Sequence, residues 1–235
     1  MDIILVPGLW LDASSWDGVV PALERAGHVT HPLTMPGVGA DGEAARGITI
    51  DDWVAATVDT IDRVDGPVVL VGHSGGGNVV YGALDARPER VAQVVFLDTF
   101  PPGDGQTIWE FPVVDGVIPF PGWDFFEEGE VADLDAATRA AASERTLSVP
   151  ELVPTSPLRL RDERRRVVPA TMITGTVPEA EIRGIIEAAP EWAAELASLA
   201  DLRIIQLNAP GEPTGHWPQL AKPERVGAAI LDALA

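Results

Sequence analysis

The stretch VVLVGHSGGGNVVYG, Val68 to Gly82, decides how this chain is read. A run of apolar, mostly β-branched residues ends at Val71, and glycine follows at once at Gly72. A histidine and a serine occupy the bend, and Gly75 and Gly76 lead into an apolar pattern compatible with a helix. Continuous apolarity over Val68–Val71 marks a strand buried on both faces. Strand, tight turn and helix form the context in which a Gly-x-Ser-x-Gly pattern carries chemistry. Gly72 and Gly76 let strand and helix approach closely, the turn lifts the Ser74 hydroxyl above the sheet edge, and the Gly75 amide points at the same spot. A phosphate-binding loop is the competing reading, and it fails because no Lys-Ser or Lys-Thr pair follows the glycines.

A serine hydroxyl is a poor nucleophile until a base within hydrogen-bond reach takes its proton. The chain has four histidines. His28 and His31 lie in or beside the second apolar run and read as packing or edge residues. His73 sits inside the bend, where its ring is expected to point away from the hydroxyl and brace the turn. His216 remains, in Pro213-Thr214-Gly215-His216-Trp217-Pro218, on a loop after the last strand pattern. Two carboxylates compete to orient it: Asp98, ending the run Val91–Leu97, and Glu179, which follows the next run but also starts a helix pattern where an acid suits the helix N-terminus. Asp98 is the preferred acid and Glu179 the alternative. For the oxyanion of an acyl transfer, the turn Pro7-Gly8-Leu9-Trp10 after the first run offers the Leu9 amide as partner to that of Gly75.

Strand-length apolar runs recur at Asp2–Val6, His28–Leu33, Pro67–Val71, Val91–Leu97, Pro169–Thr174 and Leu202–Leu207, with helix patterns between most of them. Alternation of this kind predicts an α/β class with a doubly wound, mainly parallel sheet. Ser14 or Ser15 is expected to cap a helix running to Gly27, and Thr49 one running to about Val64. From Pro101 to Val168 the rhythm breaks: the segment is rich in Pro, Gly and aromatic residues and turns helical only around Val131 to Arg145. The expected organisation is a core of residues 1–100 and 169–235 with a helical lid inserted at 101–168. Trp10, Trp109, Phe111, Trp123, Phe125, Phe126 and Trp217 are candidates to line an apolar substrate pocket beneath that lid. The basic cluster Arg159–Arg166 reads as a solvated face or a lid-to-core linker.

Composition narrows the function further. The 235 residues contain no cysteine, which removes disulfides, thiolate nucleophiles and zinc–thiolate sites. A formal net charge of −20 repels phosphate backbones and anionic lipid, so neither nucleic acid nor a membrane is an expected partner. No apolar run approaches a membrane span, and the first strand pattern starts directly after Met1 without a basic leader, which predicts a cytoplasmic protein acting on a small molecule. Self-association is left open. No metal and no cofactor are implied.

Elbow, late Gly-His, early turn and inserted segment together resemble an α/β-hydrolase over nearly the whole chain. Within that superfamily, LVPGLWLDASSWDGVVPALERAGH and GHWPQLAKPERV are similar to the small plant methylesterase and hydroxynitrile lyase branch and related bacterial esterases. The resemblance implies Ser74 as nucleophile, His216 as base, and Leu9 with Gly75 as oxyanion hole. That branch has His-Gly where this chain has Pro7-Gly8, and places its acid after the strand Pro169–Thr174, where no aspartate stands here. Some dehalogenase-like members put the acid at the position of Asp98. Hydroxynitrile lyases carry a lysine after the catalytic histidine; Trp217 stands there, so cyanide chemistry is not expected. The implied activity is hydrolysis of a small or medium, mostly apolar carboxylic ester. The alternatives are a non-hydrolytic reaction on the same fold, such as carbon–carbon cleavage or cofactor-free oxygenation, or a low-turnover ligand receptor.

Overall fold

The computed structural model describes residues 1–208 and 211–235. Six parallel strands form one sheet: β1 (Asp2–Val6), β2 (Val29–Pro32), β3 (Val68–His73), β4 (Val91–Leu97), β7 (Ala170–Thr174) and β8 (Leu202–Gln206), in the order β2-β1-β3-β4-β7-β8. Each coincides with an apolar run of the sequence to within two residues, because in a doubly covered parallel sheet burial itself writes the signal. Side chains alternate between two cores. Ile4, Val6, Leu70, Phe96 and Met172 face one side, while Ile3, Leu5, Val71, Val95 and Ile173 face the other, where Val226 and Ile230 meet them. Each such fully buried aliphatic or aromatic side chain contributes about 1.5–3 kcal/mol.

Helices cover both faces: α1 (Val20–Arg25), α2 (Ile50–Arg63), α3 (Gly75–Ala86), α6 (Glu179–Ala188), α7 (Ala194–Ala197), α8 (Pro218–Ala221) and α9 (Pro223–Ala233). Helix α2 begins as its capping box requires: the Thr49 amide donates to the Asp52 carboxylate at 2.8 Å. The first helix differs from expectation. Asp12, not a serine, caps a short 3₁₀ turn over Ala13–Trp16 by accepting from the Ser14 amide at 2.9 Å, and the α-helix starts only at Val20, with Pro21 in its first turn.

Between β4 and β7 the chain forms a two-stranded antiparallel ribbon, β5 (Val117–Ile118) with β6 (Val149–Pro150), and two short helices, α4 (Glu128–Val131) and α5 (Ala136–Ser143). The segment is therefore less helical than the lid expected from sequence; its prolines and glycines, dense before Trp123, confine regular helix to the alanine-rich part. Its return to the sheet is anchored. Arg165 is 2% exposed and donates to Glu195 at 2.8 Å and to Asp85 at 3.2 Å, while Asp85 also accepts the Arg161 and Asp162 amides. Tyr81 donates to the same Glu195 oxygen at 2.6 Å. The solvated-face reading of Arg159–Arg166 is thus corrected at Arg165, whose charge is buried because two carboxylates receive it.

Candidate active site

Ser74 occupies the bend between β3 and α3 at φ +51°, ψ −125°, a conformation L-residues seldom adopt. What holds it there is close packing around glycine. A Cβ on Gly72 would lie 2.5 Å from the Gly76 carbonyl oxygen, and one on Gly76 would lie 2.5 Å from that of Pro7, so neither position accepts a side chain. The strain, of order 1–3 kcal/mol, is sustained by the buried elements on either side.

The loop after β8 brings His216 to this serine. Ser74 Oγ lies 2.8 Å from His216 Nε2, and His216 Nδ1 lies 2.8 Å from Asp98 Oδ2. With the carboxylate accepting from Nδ1–H, Nε2 is left free to accept the hydroxyl proton. Asp98 follows β4 at φ +49° and is buried. Its Oδ1 accepts from the Gly175 amide at 2.8 Å and the Thr176 amide at 2.9 Å, and the Thr176 hydroxyl reaches both oxygens at 3.1 and 3.0 Å. Burial pulls the Asp98 carboxyl up, but the His216 ring N–H and charge, with the two backbone donors, outweigh it and hold the group below its usual range.

Glu179 is not brought to this site. It opens α6 and pairs with Arg183 one turn on, at 2.6 Å. Directly after β7 stand Gly175 and Thr176, whose amides donate to Asp98. Leu9 and Gly75 adjoin each other: a Cβ on Gly75 would lie 3.2 Å from Leu9 Cγ. As the first residue of α3, Gly75 has an amide with no intrahelical acceptor, and among the described residues no backbone carbonyl takes the Leu9 amide. His31, on the edge strand β2 two strands from β3, donates to Asp2 at 2.8 Å.

A cavity of about 670 Å³ opens beside Ser74 and His216, walled by Leu9, Trp10, Ile108, Phe111, Phe126 and Trp217. Trp109 and Phe125 also line it and are 65% and 50% exposed, and Glu127 and Glu130 complete the lining. Trp123 does not line it. Its indole donates to the Arg139 carbonyl at 3.0 Å and meets Trp217 edge-on at 5.1 Å, so it buttresses the wall from behind. The segment before β7 also grips the histidine loop: the His216 amide donates to the Glu130 carbonyl at 2.7 Å, and Lys222 donates to Thr214 at 2.8 Å while lying 3.7 Å from buried Asp133. Sequence reasoning had not singled out Glu130, Thr176 or Lys222; backbone acceptors and short polar donors carry no periodic signal.

A model of the alpha/beta hydrolase family matches residues 3–229. The chain belongs to the α/β-hydrolase family. Among curated relatives of this α/β-hydrolase, lipase LipV of Mycobacterium tuberculosis is 39% identical over 114 residues, 47% of this chain and 42% of that one. Methylesterase 8 of Arabidopsis thaliana is 33% identical over 102 residues, 42% of this chain and 38% of that one. The chain spans less than half the length of the curated relatives it matches. Among solved structures, an extracellular α/β-hydrolase from a Paenibacillus species, described as sharing structural and functional homology with tobacco salicylic acid binding protein 2, superposes with a TM-score of 0.76 at 21% identity, over 99% of this chain and 98% of that one. That likeness is one of fold. Among the described residues no helix is long and apolar enough to cross a membrane.

Proposed function

We propose that this α/β-hydrolase is a serine esterase acting on a small or medium, mostly apolar carboxylic ester, with Ser74 as nucleophile, His216 as general base and acid, and Asp98 as the group that orients His216. The single observation that carries the reading is the unbroken hydrogen-bonded chain from Ser74 Oγ through both nitrogens of His216 to Asp98, two links of 2.8 Å. Relatives with esterase names, among them the carbendazim hydrolyzing esterase of a Nocardioides species and methylesterase 8, support ester chemistry.

In the proposed cycle, His216 Nε2 takes the Ser74 proton as Oγ attacks the ester carbonyl carbon. The oxyanion is met by the Leu9 and Gly75 amides, each worth about 3 kcal/mol at the transition state. His216 then gives the proton to the departing alkoxide, which leaves as the alcohol. Water, deprotonated by the same nitrogen, attacks the acyl carbon; the carboxylic acid leaves and Ser74 regains its proton. Residues 101–168 act as the cap of this site and supply most of its apolar wall. Glu127 and Glu130 in the lining, with the net charge of −20, favour neutral esters over anionic ones.

The test is a panel of p-nitrophenyl esters of graded acyl length, with fluorophosphonate labelling, on wild type and Ser74→Ala. Expected are turnover and a single label on wild type, and neither on the variant, with an unchanged circular dichroism spectrum. Label without turnover of any ester points to one of the non-hydrolytic readings, and ester turnover by Ser74→Ala near the wild-type rate refutes the mechanism.

A further inference from the structure

His73 is a buried titratable group that the cycle above does not use. It is the last residue of β3, next to Ser74, and has no exposed surface. Its ring does not turn back into the elbow. Nε2 lies 2.6 Å from the backbone carbonyl oxygen of His216, a residue 143 positions away, and Nδ1 lies 3.0 Å from Nε2 of Gln219 in α8. A carbonyl only accepts, so Nε2 carries the hydrogen and Nδ1 is bare; the Gln219 amide, donating to Nδ1, enforces the same tautomer. Were the proton on Nδ1, two lone pairs would face each other across 2.6 Å. Burial, followed by the nearby His216, pushes the His73 ring down to about 3, so it stays neutral and the arrangement persists at ordinary pH.

We propose that His73, locked by Gln219, is a positioning residue: it ties the His216 carbonyl to the serine elbow and thereby sets the reach of the His216 ring toward Ser74. The proposal rests on the hydrolase reading but adds a residue to it. His216 sits on an irregular loop, and its peptide is held from two sides, the amide by Glu130 and the carbonyl by His73. Only the second hold comes from the strand that runs directly into Ser74. It makes the serine–histidine distance a property of one rigid unit rather than of the loop. A brace for the turn alone would have no need of a partner on the histidine loop, nor of a second side chain dedicated to its tautomer.

The test compares His73→Leu, His73→Gln and Gln219→Leu in the full chain by steady-state kinetics on a p-nitrophenyl ester, thermal unfolding, and the low-field proton resonance of the His216–Asp98 hydrogen bond. His73→Leu is expected to lower kcat by about 10²-fold, the cost of an ångström-scale misplacement, with KM nearly unchanged. His73→Gln, whose side-chain amide can donate to the same carbonyl, is expected to recover to within about tenfold of wild type, with a Tm no higher than that of His73→Leu. The low-field resonance should broaden or move in the leucine variant and return in the glutamine one. Gln219→Leu, which removes one of the two groups that fix the tautomer, should lower kcat by roughly tenfold and carries the test if His73→Leu does not fold. Leucine and glutamine variants that lose activity equally and in step with Tm, or a low-field resonance untouched by either leucine substitution, would overturn the proposal. The resonance is read without substrate, so it decides even if the wild type turns over no ester.

Discussion

Replacing Asp98 by asparagine separates the orienting role of the carboxylate from its bulk, and the surroundings dictate how the new amide must sit. The Gly175 and Thr176 amides both point at Oδ1, at 2.8 and 2.9 Å. An NH₂ placed there would face two N–H groups, so the asparagine oxygen takes that place and the NH₂ takes the place of Oδ2, 2.8 Å from His216 Nδ1. It then donates to Nδ1, the ring proton moves to Nε2, and Nε2 can no longer accept from Ser74. Loss of the carboxylate charge also removes what stabilises the imidazolium. Together these lower kcat by about 10⁴-fold, the effect of the wrong tautomer in serine hydrolases, or about 5.5 kcal/mol of transition-state stabilisation. The assay is kcat and KM on a p-nitrophenyl ester, with thermal unfolding as the control for shape. Glu179→Gln, which touches only the surface pair with Arg183, should stay near wild type. An Asp98→Asn enzyme within tenfold of wild type, or a Glu179→Gln enzyme as slow as the Asp98 variant is expected to be, would refute the reasoning.

Ser74→Gly should abolish turnover yet raise stability by about 1 kcal/mol or more, since glycine adopts φ near +51° without strain; a Tm at or below that of Ser74→Ala would contradict it. Arg165→Met should destabilise by about 3 kcal/mol, the low end for a broken buried pair because Arg166 still holds Glu195 at 2.8 Å, as read by urea unfolding. Asp98 is held below its usual range and His73 is pushed down to about 3, so neither should add an ionisation to the kcat/KM profile across neutral pH, as read by a pH–rate titration of the wild type. Stability has the opposite origin. A histidine held neutral in the fold binds fewer protons than the unfolded chain below its ordinary value of 6.5, so His73 should cost up to about 1.4 kcal/mol per unit as pH falls from there toward 3, a slope His73→Gln removes in denaturant titrations at stepped pH.

What the sequence made legible follows from where its signals originate. The six strands stood out because both faces of a covered parallel sheet are apolar, and Ser74 because a strained bend between packed elements demands glycines at Gly72 and Gly76. His216 was reached by elimination among four histidines and by its place after the last strand. The structure of residues 101–168 was less legible: a segment built from turns, a two-residue ribbon and short helices has no period to read. Trp123 looked like a pocket residue because aromatic composition is blind to facing, and its indole in fact turns to the Arg139 carbonyl and Trp217. The grip of Glu130 on the histidine loop was invisible because it is made by a backbone carbonyl that any residue could supply.

Asp98 is where pattern and geometry meet most closely. Strands β4 and β7 are neighbours, with Leu97 opposite Ile173, so a carboxylate one residue past β4 and one past β7 would approach the same histidine from adjacent positions on the rim. Asp98 is buried, and an isolated buried carboxylate would be driven toward its neutral form. The end of β7 supplies the remedy. With no side chain of its own to aim at His216, it presents the Gly175 and Thr176 amides and the Thr176 hydroxyl to Asp98. Gly175 lets the histidine loop pass close, since a Cβ there would lie 3.2 Å from the Gly215 carbonyl oxygen. The carboxylate after β4 and the donors after β7 are therefore two halves of one arrangement. Thr176→Val tests it: losing the hydroxyl that reaches both carboxylate oxygens at 3.0 and 3.1 Å should leave Asp98 less firmly ionised and lower kcat by roughly tenfold, the scale of one hydrogen bond of about 1–1.5 kcal/mol. A Thr176→Val enzyme with unchanged kcat would assign the support of Asp98 to the two backbone amides alone.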